Sequence, residues 1–225
     1  MKDGFIKVAA GTPDIRVADC EYNRAEITAL IDKAYATGVR ILALPELCIT
    51  GYTCQDLFFQ QALLDGALNS LREITEHTAG SDMLISVGCP LRFRGELYNC
   101  AVVLKDGKIL GVVPKKFLPN YNEFYEKRHF TAAPEGQFDI ELFGESVPFG
   151  LGLLFECRAM PELVFAAELC EDLWAAEPPS ISLALGGATI IANLSASNET
   201  IGKDMYRREL VNSQSARLLC GYVYA

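Results

Sequence analysis

The sequence predicts an α/β fold in which helices pack on a mixed β-sheet, and three observations support this prediction. Short apolar runs alternate with segments whose apolar residues recur every three or four positions, as strands alternate with amphipathic helices. Two apolar runs meet at Asp106-Gly107, a dipeptide typical of a tight hairpin turn, so part of the sheet should be antiparallel. The chain has 225 residues, of which 50% are hydrophobic, enough for one domain with a substantial core.

The predicted helices and strands follow one another along the whole chain. The first helix should begin at Asp19 or Asn23, both favourable N-cap residues, and end at Gly38. A second helix is predicted at 57–77, where apolar residues form one face, and a third at 203–219. Strands are predicted at 5–10, 39–44, 83–87, 98–104, 108–113, 150–155, 163–169, 188–194 and 222–225.

The composition argues against several classes of function. The net charge is -9, and the lysines and arginines form no stretch long enough for a nucleic-acid groove. No apolar run approaches the ~20 residues of a membrane span. The 8 cysteines form no Cys-x-x-Cys pair and the chain has only 2 histidines, which argues against a metal site. We therefore expect a cytoplasmic protein with free thiols that binds neither nucleic acid nor membrane.

Three apolar runs each end in a side chain capable of chemistry, and α/β folds place ligands at the carboxyl ends of strands. Glu46 suits a general base if it is partly buried, and a structural cap of backbone amides is the alternative. Lys115 could hold a developing oxyanion, or be a surface lysine. Cys170 could be a nucleophile, or a buried core thiol. The acidic pair Glu171-Asp172 would raise the pKa of this thiol, so the site needs a cation, and Lys115 could supply it.

Several short motifs surround these residues in a fixed order. They are Pro45-Glu46-Leu47, Thr50-Gly51-Tyr52, Asp56-Leu57-Phe58, Pro114-Lys115, Phe117-Leu118-Pro119, Glu123-Phe124-Tyr125, Cys170-Glu171-Asp172 with Trp174, and Asn193-Leu194-Ser195-Ala196-Ser197. In this order they resemble the carbon-nitrogen hydrolase (nitrilase) superfamily. In detail they resemble the N-terminal glutaminase domains of the glutamine-dependent NAD(+) synthetases. The resemblance covers essentially the whole chain.

This resemblance implies a fold and a set of site residues. The fold is an αββα sandwich with mixed sheets. Glu46 is the general base, Lys115 stabilises the oxyanion, and Cys170 attacks the glutamine amide to form a thioester. Glu123 matches a second glutamate that is kept near this triad. Four further positions match residues that line the glutamine pocket in this family: Tyr121, Glu171, Ser197 and Lys203. Lys203 stands where some members carry an arginine.

The resemblance also implies a larger enzyme. Residues 1–225 would be its carbon-nitrogen hydrolase domain, incomplete at the C-terminus. The ammonia would pass to a synthetase domain, outside this chain, that uses ATP and Mg²⁺ to amidate deamido-NAD to NAD. The amidase half would need no cofactor, and the enzyme is expected to form a homo-oligomer. Two alternatives stay open: another amidase or carbamoylase of the nitrilase superfamily, and a catalytically silent fragment that serves as a partner-dependent scaffold.

Overall fold

The computed structural model describes residues 4–225. The strands in this part of the chain are β1 (Val8–Ala10), β2 (Ile41–Ala43), β3 (Leu84–Phe93), β4 (Glu96–Lys105), β5 (Lys108–Pro114), β6 (Gln137–Leu142), β7 (Glu145–Gly150), β8 (Phe155–Cys157), β9 (Met160–Leu169), β10 (Ile190–Leu194) and β11 (Gly221–Tyr224). The helices are α1 (Cys20–Ala36), α2 (Gln61–His77), α3 (Glu126–His129), α4 (Glu171–Trp174), α5 (Pro179–Leu185) and α6 (Lys203–Leu218), with a 3-10 helix at Gln55–Phe59. None of the helices within residues 4–225 is long and apolar enough to cross a membrane.

The strands form two mixed sheets. The larger sheet has the order β1-β2-β3-β4-β5-β7-β6, and the smaller has the order β11-β10-β9-β8. Strands β1, β2 and β3 run parallel, whereas β4 pairs antiparallel with both β3 and β5. In the smaller sheet β9, β10 and β11 are parallel and β8 is antiparallel to β9. The predicted hairpin at Asp106-Gly107 is therefore the β4–β5 turn.

The two sheets face each other across an apolar layer, and helices cover their outer faces. Val103 of β4 and Phe165 of β9 lie in this inner layer and are almost fully buried. Ile27 of α1 and Leu71 of α2 pack on the outer face of the larger sheet. Leu183 of α5 packs on the outer face of the smaller sheet. The prediction of an αββα sandwich with mixed sheets is confirmed.

Helix α1 begins at the first of the two predicted caps. The Asp19 side chain accepts a hydrogen bond from Tyr22 N at 3.1 Å, which satisfies one of the free N–H groups of the first turn. Asn23 lies inside the helix and is fully buried. Its Nδ2 donates to Arg16 O at 2.8 Å and to Ile49 O at 3.0 Å. Asn23 therefore ties the helix to the loop that follows Glu46 instead of capping the helix.

The prediction of a strand at 150–155 is wrong. Strand β7 ends at Gly150 and β8 begins at Phe155, with a turn between them. Gly152 in this turn has a φ of +79°, which glycine adopts at little cost. The preceding hairpin, β6–β7, escaped prediction because it contains no continuous apolar run. Its signal is an alternation in which Phe138, Ile140 and Leu142 face inward more than their neighbours, as in a strand buried on one face.

Gly88 lets strand β3 approach the loop that carries Glu46. A Cβ at this position would lie 2.2 Å from Leu47 N, far inside contact distance. We expect Gly88→Ala to lower the free energy of unfolding by about 3 kcal/mol, as measured by urea denaturation. Gly66→Ala in α2 is the matched control, since its Cβ would meet its nearest neighbour at an ordinary 3.6 Å and alanine favours a helix by about 0.5–1 kcal/mol. Equal stability of Gly88→Ala and the unaltered chain would contradict this account of the loop.

Candidate active site

The three predicted catalytic residues converge at the carboxyl ends of strands from both sheets. Glu46 lies beyond β2, Lys115 follows β5 and Cys170 follows β9. Their exposed fractions are 2%, 1% and 6%. The alternative of a surface lysine is thereby excluded, since Lys115 is among the largest fully buried side chains. A buried lysine is costly unless its charge is paired, so its contacts define the site.

The Lys115 ammonium lies between two carboxylates. Its Nζ is 2.6 Å from Glu46 Oε1 and 2.6 Å from Glu126 Oε1. Burial alone would lower the pKa of Lys115, but the negative charges of Glu46 and Glu126 outweigh burial and raise it. The lysine is therefore a cation held in a fixed position, as stabilisation of an oxyanion requires.

Backbone and amide donors fix Glu46 on its other sides. Asn99 Nδ2 in β4 donates to Glu46 Oε1 at 2.7 Å, and Ala196 N donates to Oε2 at 3.0 Å. Since Ala196 follows β10, this carboxylate is held from both sheets. Asn99 was not found from the sequence because an asparagine inside an apolar strand carries no motif. The structure reveals Asn99 because its polar side chain is fully buried in β4.

The second glutamate that contacts the lysine is Glu126, whereas Glu123, the glutamate predicted to lie near the triad, lines the cavity beside Cys170. Glu123 is exposed and accepts a hydrogen bond from Asn198. Glu126, in the single turn α3, is buried and accepts from Tyr52 OH at 2.7 Å as well as from Lys115. Burial, together with the charge of Glu46, raises the pKa of Glu126 to about 7. The two glutamates lie three residues apart, and only the turn of α3 decides which one points inward.

Cys170 occupies a strained turn between β9 and α4. Its φ of +38° and ψ of -97° are unusual for a residue other than glycine. The turn is anchored by Cys170 N, which donates to Leu194 O of β10 at 2.9 Å. Burial raises the pKa of the Cys170 thiol to about 12, and the charge of Glu46 adds to this rise while Lys115 opposes it. The resting cysteine is therefore a neutral thiol that needs a base.

Asp172 joins the cysteine turn to the lysine loop. Its carboxylate accepts hydrogen bonds from Leu169 N at 3.0 Å, Lys116 N at 3.1 Å and Phe117 N at 2.8 Å. Burial raises the pKa of Asp172, and the backbone donors oppose that rise. Asp172 thus fixes the loop after Lys115 to the turn at Cys170, a role its sequence neighbours did not indicate.

A cavity of about 340 Å³ opens onto the cysteine. The predicted pocket residues Tyr121, Glu171, Ser197 and Lys203 all line it, together with Pro119, Asn122, Glu123, Phe124, Cys170, Trp174, Asn198 and Thr200. Tyr121 OH donates to the Glu171 carboxylate at 2.9 Å. Lys203 Nζ donates to Asn198 and lies 5.2 Å from the centre of the Trp174 ring. The cavity therefore has a carboxylate and an ammonium near the thiol, which suits a ligand carrying both charges.

A larger cavity of about 570 Å³ lies at the other end of the sandwich, near the β4–β5 turn. Its walls are mostly apolar, and none of the three converging residues lines it. The smaller cavity is therefore the candidate active site. Within residues 4–225 no group of three or more His, Cys, Asp or Glu side chains is arranged to hold a metal ion.

The αββα sandwich, with a cysteine-lined cavity at its strand ends, places the protein in the class of nitrilase-type hydrolases. The chain belongs to the carbon-nitrogen hydrolase family, whose model matches residues 7–225. It is 40% identical over 222 residues to the glutamine-dependent NAD(+) synthetase of Mycobacterium tuberculosis (strain ATCC 25618 / H37Rv). This match covers 99% of this chain and 33% of that protein. It is 32% identical over 208 residues to the Aquifex aeolicus (strain VF5) synthetase, covering 92% of this chain and 33% of that protein.

Solved structures agree with this assignment. The crystal structure of the glutamine-dependent NAD(+) synthetase from Cytophaga hutchinsonii matches with a TM-score of 0.87 and 33% identity, over 98% of this chain and 35% of that one. An amidase from Nesterenkonia sp. shares the fold with a TM-score of 0.76 at 16% identity, over 100% of this chain and 77% of that one. The chain spans about a third of the length of its synthetase relatives.

Proposed function

We propose that this chain hydrolyses the side-chain amide of L-glutamine to glutamate and ammonia. The observation that carries the proposal is the buried Lys115 ammonium, held by Glu46 and Glu126 at the strand ends where Cys170 lines a cavity. A thiol, a carboxylate and a fixed cation are the groups that acyl transfer needs. The names of the relatives, which describe them as glutamine-dependent, support the choice of amide.

The first half of the reaction forms a thioester. Glu46 takes the thiol proton as the Cys170 sulfur adds to the amide carbon. The amide oxygen becomes an oxyanion, which Lys115 and a backbone N–H after Cys170 stabilise. Glu46 then gives its proton to the amide nitrogen, the C–N bond breaks and ammonia leaves. The acyl group remains on the sulfur.

The second half of the reaction releases glutamate. Glu46 takes a proton from water, and the hydroxide adds to the thioester carbon while Lys115 again stabilises the oxyanion. The C–S bond breaks, and Glu46 returns the proton to the Cys170 sulfur. The same three side chains thus serve both steps, and neither step draws on a metal ion.

The charged lining of the cavity favours an α-amino acid as the substrate. The carboxylate of Glu171, which accepts a hydrogen bond from Tyr121, would bind the α-ammonium group of the substrate. Lys203, which lines the same cavity as Ser197, would bind the α-carboxylate group of the substrate. A simple aliphatic amide has no charges to fill these positions, so the lining supports glutamine over an uncharged substrate.

Lys203→Met is expected to raise the KM for L-glutamine while leaving kcat within a few-fold of its starting value. The lost contact joins two charged groups, so the expected rise is about ten-fold or more. Initial rates of glutamate release over a range of glutamine concentrations give both constants. Lys203→Arg is the matched control and should keep a near-normal KM. An unchanged KM in Lys203→Met would remove this residue from the substrate site.

We further propose that the ammonia serves a synthetase domain of the full-length protein, which uses ATP and Mg²⁺ to convert deamido-NAD to NAD. The support is the match to one third of several glutamine-dependent NAD(+) synthetases. A homo-oligomeric enzyme is part of the same proposal. Residues 1–225 would contribute the ammonia-producing step and would need no cofactor for it.

A panel of amides tests the proposed substrate. The chain is incubated separately with L-glutamine, D-glutamine, L-asparagine and an N-carbamoyl amino acid, and ammonia release is followed. L-glutamine should be hydrolysed fastest, and Cys170→Ala should release no ammonia from any of them. Faster turnover of the carbamoyl compound would assign the chain to a different nitrilase-type activity. A folded chain that turns over none of them would favour the scaffold alternative.

A further inference from the structure

A serine hydroxyl contacts the sulfur of Cys170. Ser195 follows β10 and is buried, and its Oγ lies 3.2 Å from Cys170 Sγ. Within residues 4–225 this is the only hydrogen-bond partner of that sulfur. The same Oγ lies 2.6 Å from Tyr224 OH in β11 and accepts a hydrogen bond from Ser197 N at 3.2 Å. Ser195 is therefore held between the next strand and its own loop.

Once the thiol proton is removed, the Cys170 sulfur can only accept a hydrogen bond, so the contact then runs from the Ser195 hydroxyl to the sulfur. A serine hydroxyl has one hydrogen to donate and two lone pairs to accept with. Ser197 N occupies one lone pair, and Tyr224 OH can fill the second by donating its own hydrogen. The single hydrogen of Ser195 then points to the Cys170 sulfur. Tyr224 thus orients the hydroxyl without touching the sulfur itself.

The charges around the sulfur make such a donor useful. Glu171 and Lys203 line the open cavity beside Cys170, while the titratable groups closest around its buried sulfur are Glu46, Glu126, Lys115, Tyr52, Tyr121 and Tyr224. Two of these are carboxylates, which oppose a negative charge on sulfur. Lys115 is the one cation in this set, and it already pairs with both carboxylates. A neutral donor stabilises a thiolate without adding another charge to the buried site.

We propose that Ser195, oriented by Tyr224, is a further residue of the catalytic machinery that donates a hydrogen bond to the Cys170 sulfur. It stabilises the sulfur when Glu46 removes the thiol proton, and again when the C–S bond of the thioester breaks and sulfur leaves with the electron pair. The meaning of the contact for catalysis rests on the proposed function. The contact itself is a property of the thiol and can be tested without glutamine.

The experiment measures alkylation of Cys170 by iodoacetamide between pH 7 and 10, with the modified cysteine identified by peptide mass. Alkylation rates well below the thiol pKa follow the thiolate fraction. Ser195→Ala should react about ten-fold more slowly at each pH, which displaces the profile by about one pH unit to higher pH. Ser195→Thr keeps the hydroxyl and should restore most of the rate. Tyr224→Phe should give an intermediate loss, because the hydroxyl remains but is free to turn away.

Ser215→Ala is the matched control, since the Ser215 hydroxyl donates to Cys220 O at the end of α6. It should leave the profile unchanged. A Ser195→Ala profile that coincides with the unaltered chain overturns the proposal, as does a loss that Ser195→Thr fails to restore. If Ser195→Ala does not fold, a Tyr224→Phe profile equal to that of the unaltered chain overturns it. If the unaltered chain hydrolyses glutamine but Ser195→Ala leaves the alkylation profile unchanged, the Ser195 proposal fails and the proposed function stands. If Ser195→Ala displaces the profile but the unaltered chain does not hydrolyse glutamine, the proposed substrate fails and the Ser195 contact stands.

Discussion

Cys170→Ala is expected to abolish glutamine hydrolysis while leaving the fold intact. Without the sulfur no thioester forms, and the remaining groups stabilise only the uncatalysed attack of water. The loss of kcat should be at least about a thousand-fold. Alanine fits the space of the thiol, so the free energy of unfolding should change by less than about 2 kcal/mol. Ammonia release and urea denaturation measure the two effects.

The matched control for this substitution is Cys157→Ala. Cys157 lies in β8 and lines the larger cavity at the other end of the sandwich. Its replacement should leave hydrolysis within a few-fold of the unaltered chain. Residual hydrolysis above a hundredth of the original rate in Cys170→Ala would show that another group attacks the amide.

Lys115→Met is expected to remove both activity and stability. The substitution leaves Glu46 and Glu126 facing each other in a buried site with no cation between them. Breaking a buried ion pair from one side costs about 3–5 kcal/mol. The oxyanion also loses its cation, so kcat should fall by at least about a hundred-fold. Urea denaturation and ammonia release measure the stability and the rate.

The stability deficit of Lys115→Met should depend on pH. Without the ammonium, burial and the charge of Glu46 raise the pKa of Glu126 in the folded state still further above the ~4.3 of an unfolded glutamate. Between pH 8 and pH 5 the folded state then binds more protons than the unfolded state, so its stability rises as the pH falls. The deficit should therefore be smaller at pH 5 than at pH 8.

Lys116→Met provides the comparison. Lys116 is partly exposed, and its ammonium lies 4.9 Å from the centre of the Phe117 ring. Its replacement should change the free energy of unfolding by no more than about 0.5 kcal/mol. A Lys115→Met deficit that is equally small, or that does not change between pH 5 and pH 8, would contradict the paired-carboxylate account.

The distinction between Lys115 and Lys116 shows what sequence alone can provide. Both lysines stand in the same dipeptide, and only the motif around Pro114 favoured the first. In an extended chain successive side chains point to opposite faces. At the end of β5 this alternation buries Lys115 against Glu46 and leaves Lys116 partly exposed. The register of β5 in the sheet therefore decides which lysine enters the site.

The positions that the sequence did not reveal depend on tertiary contacts. Glu126 is selected over Glu123 by one turn of helix, and Ser195 acquires its contact because β10 lies beside β9. Cys170 differs from buried cysteines such as Cys89 through its strained turn, and local composition does not encode a backbone of that shape. The alternation of strands and helices was visible along the chain because it reflects local periodicity. The ordered motifs supplied the three central side chains and the four cavity positions, but the further contacts of Asn99, Glu126 and Ser195 were not visible because they join segments distant in the chain.

Reaction with 6-diazo-5-oxo-L-norleucine probes whether Cys170 is the nucleophile of a glutamine site. This analogue of glutamine carries an electrophilic carbon in the position of the amide and alkylates a nucleophile bound beside it. We expect one adduct per chain, on Cys170, that excess L-glutamine suppresses and that Cys170→Ala does not form. Equal modification of several cysteines, or labelling of Cys170 that glutamine does not slow, would contradict a glutamine site at this cysteine.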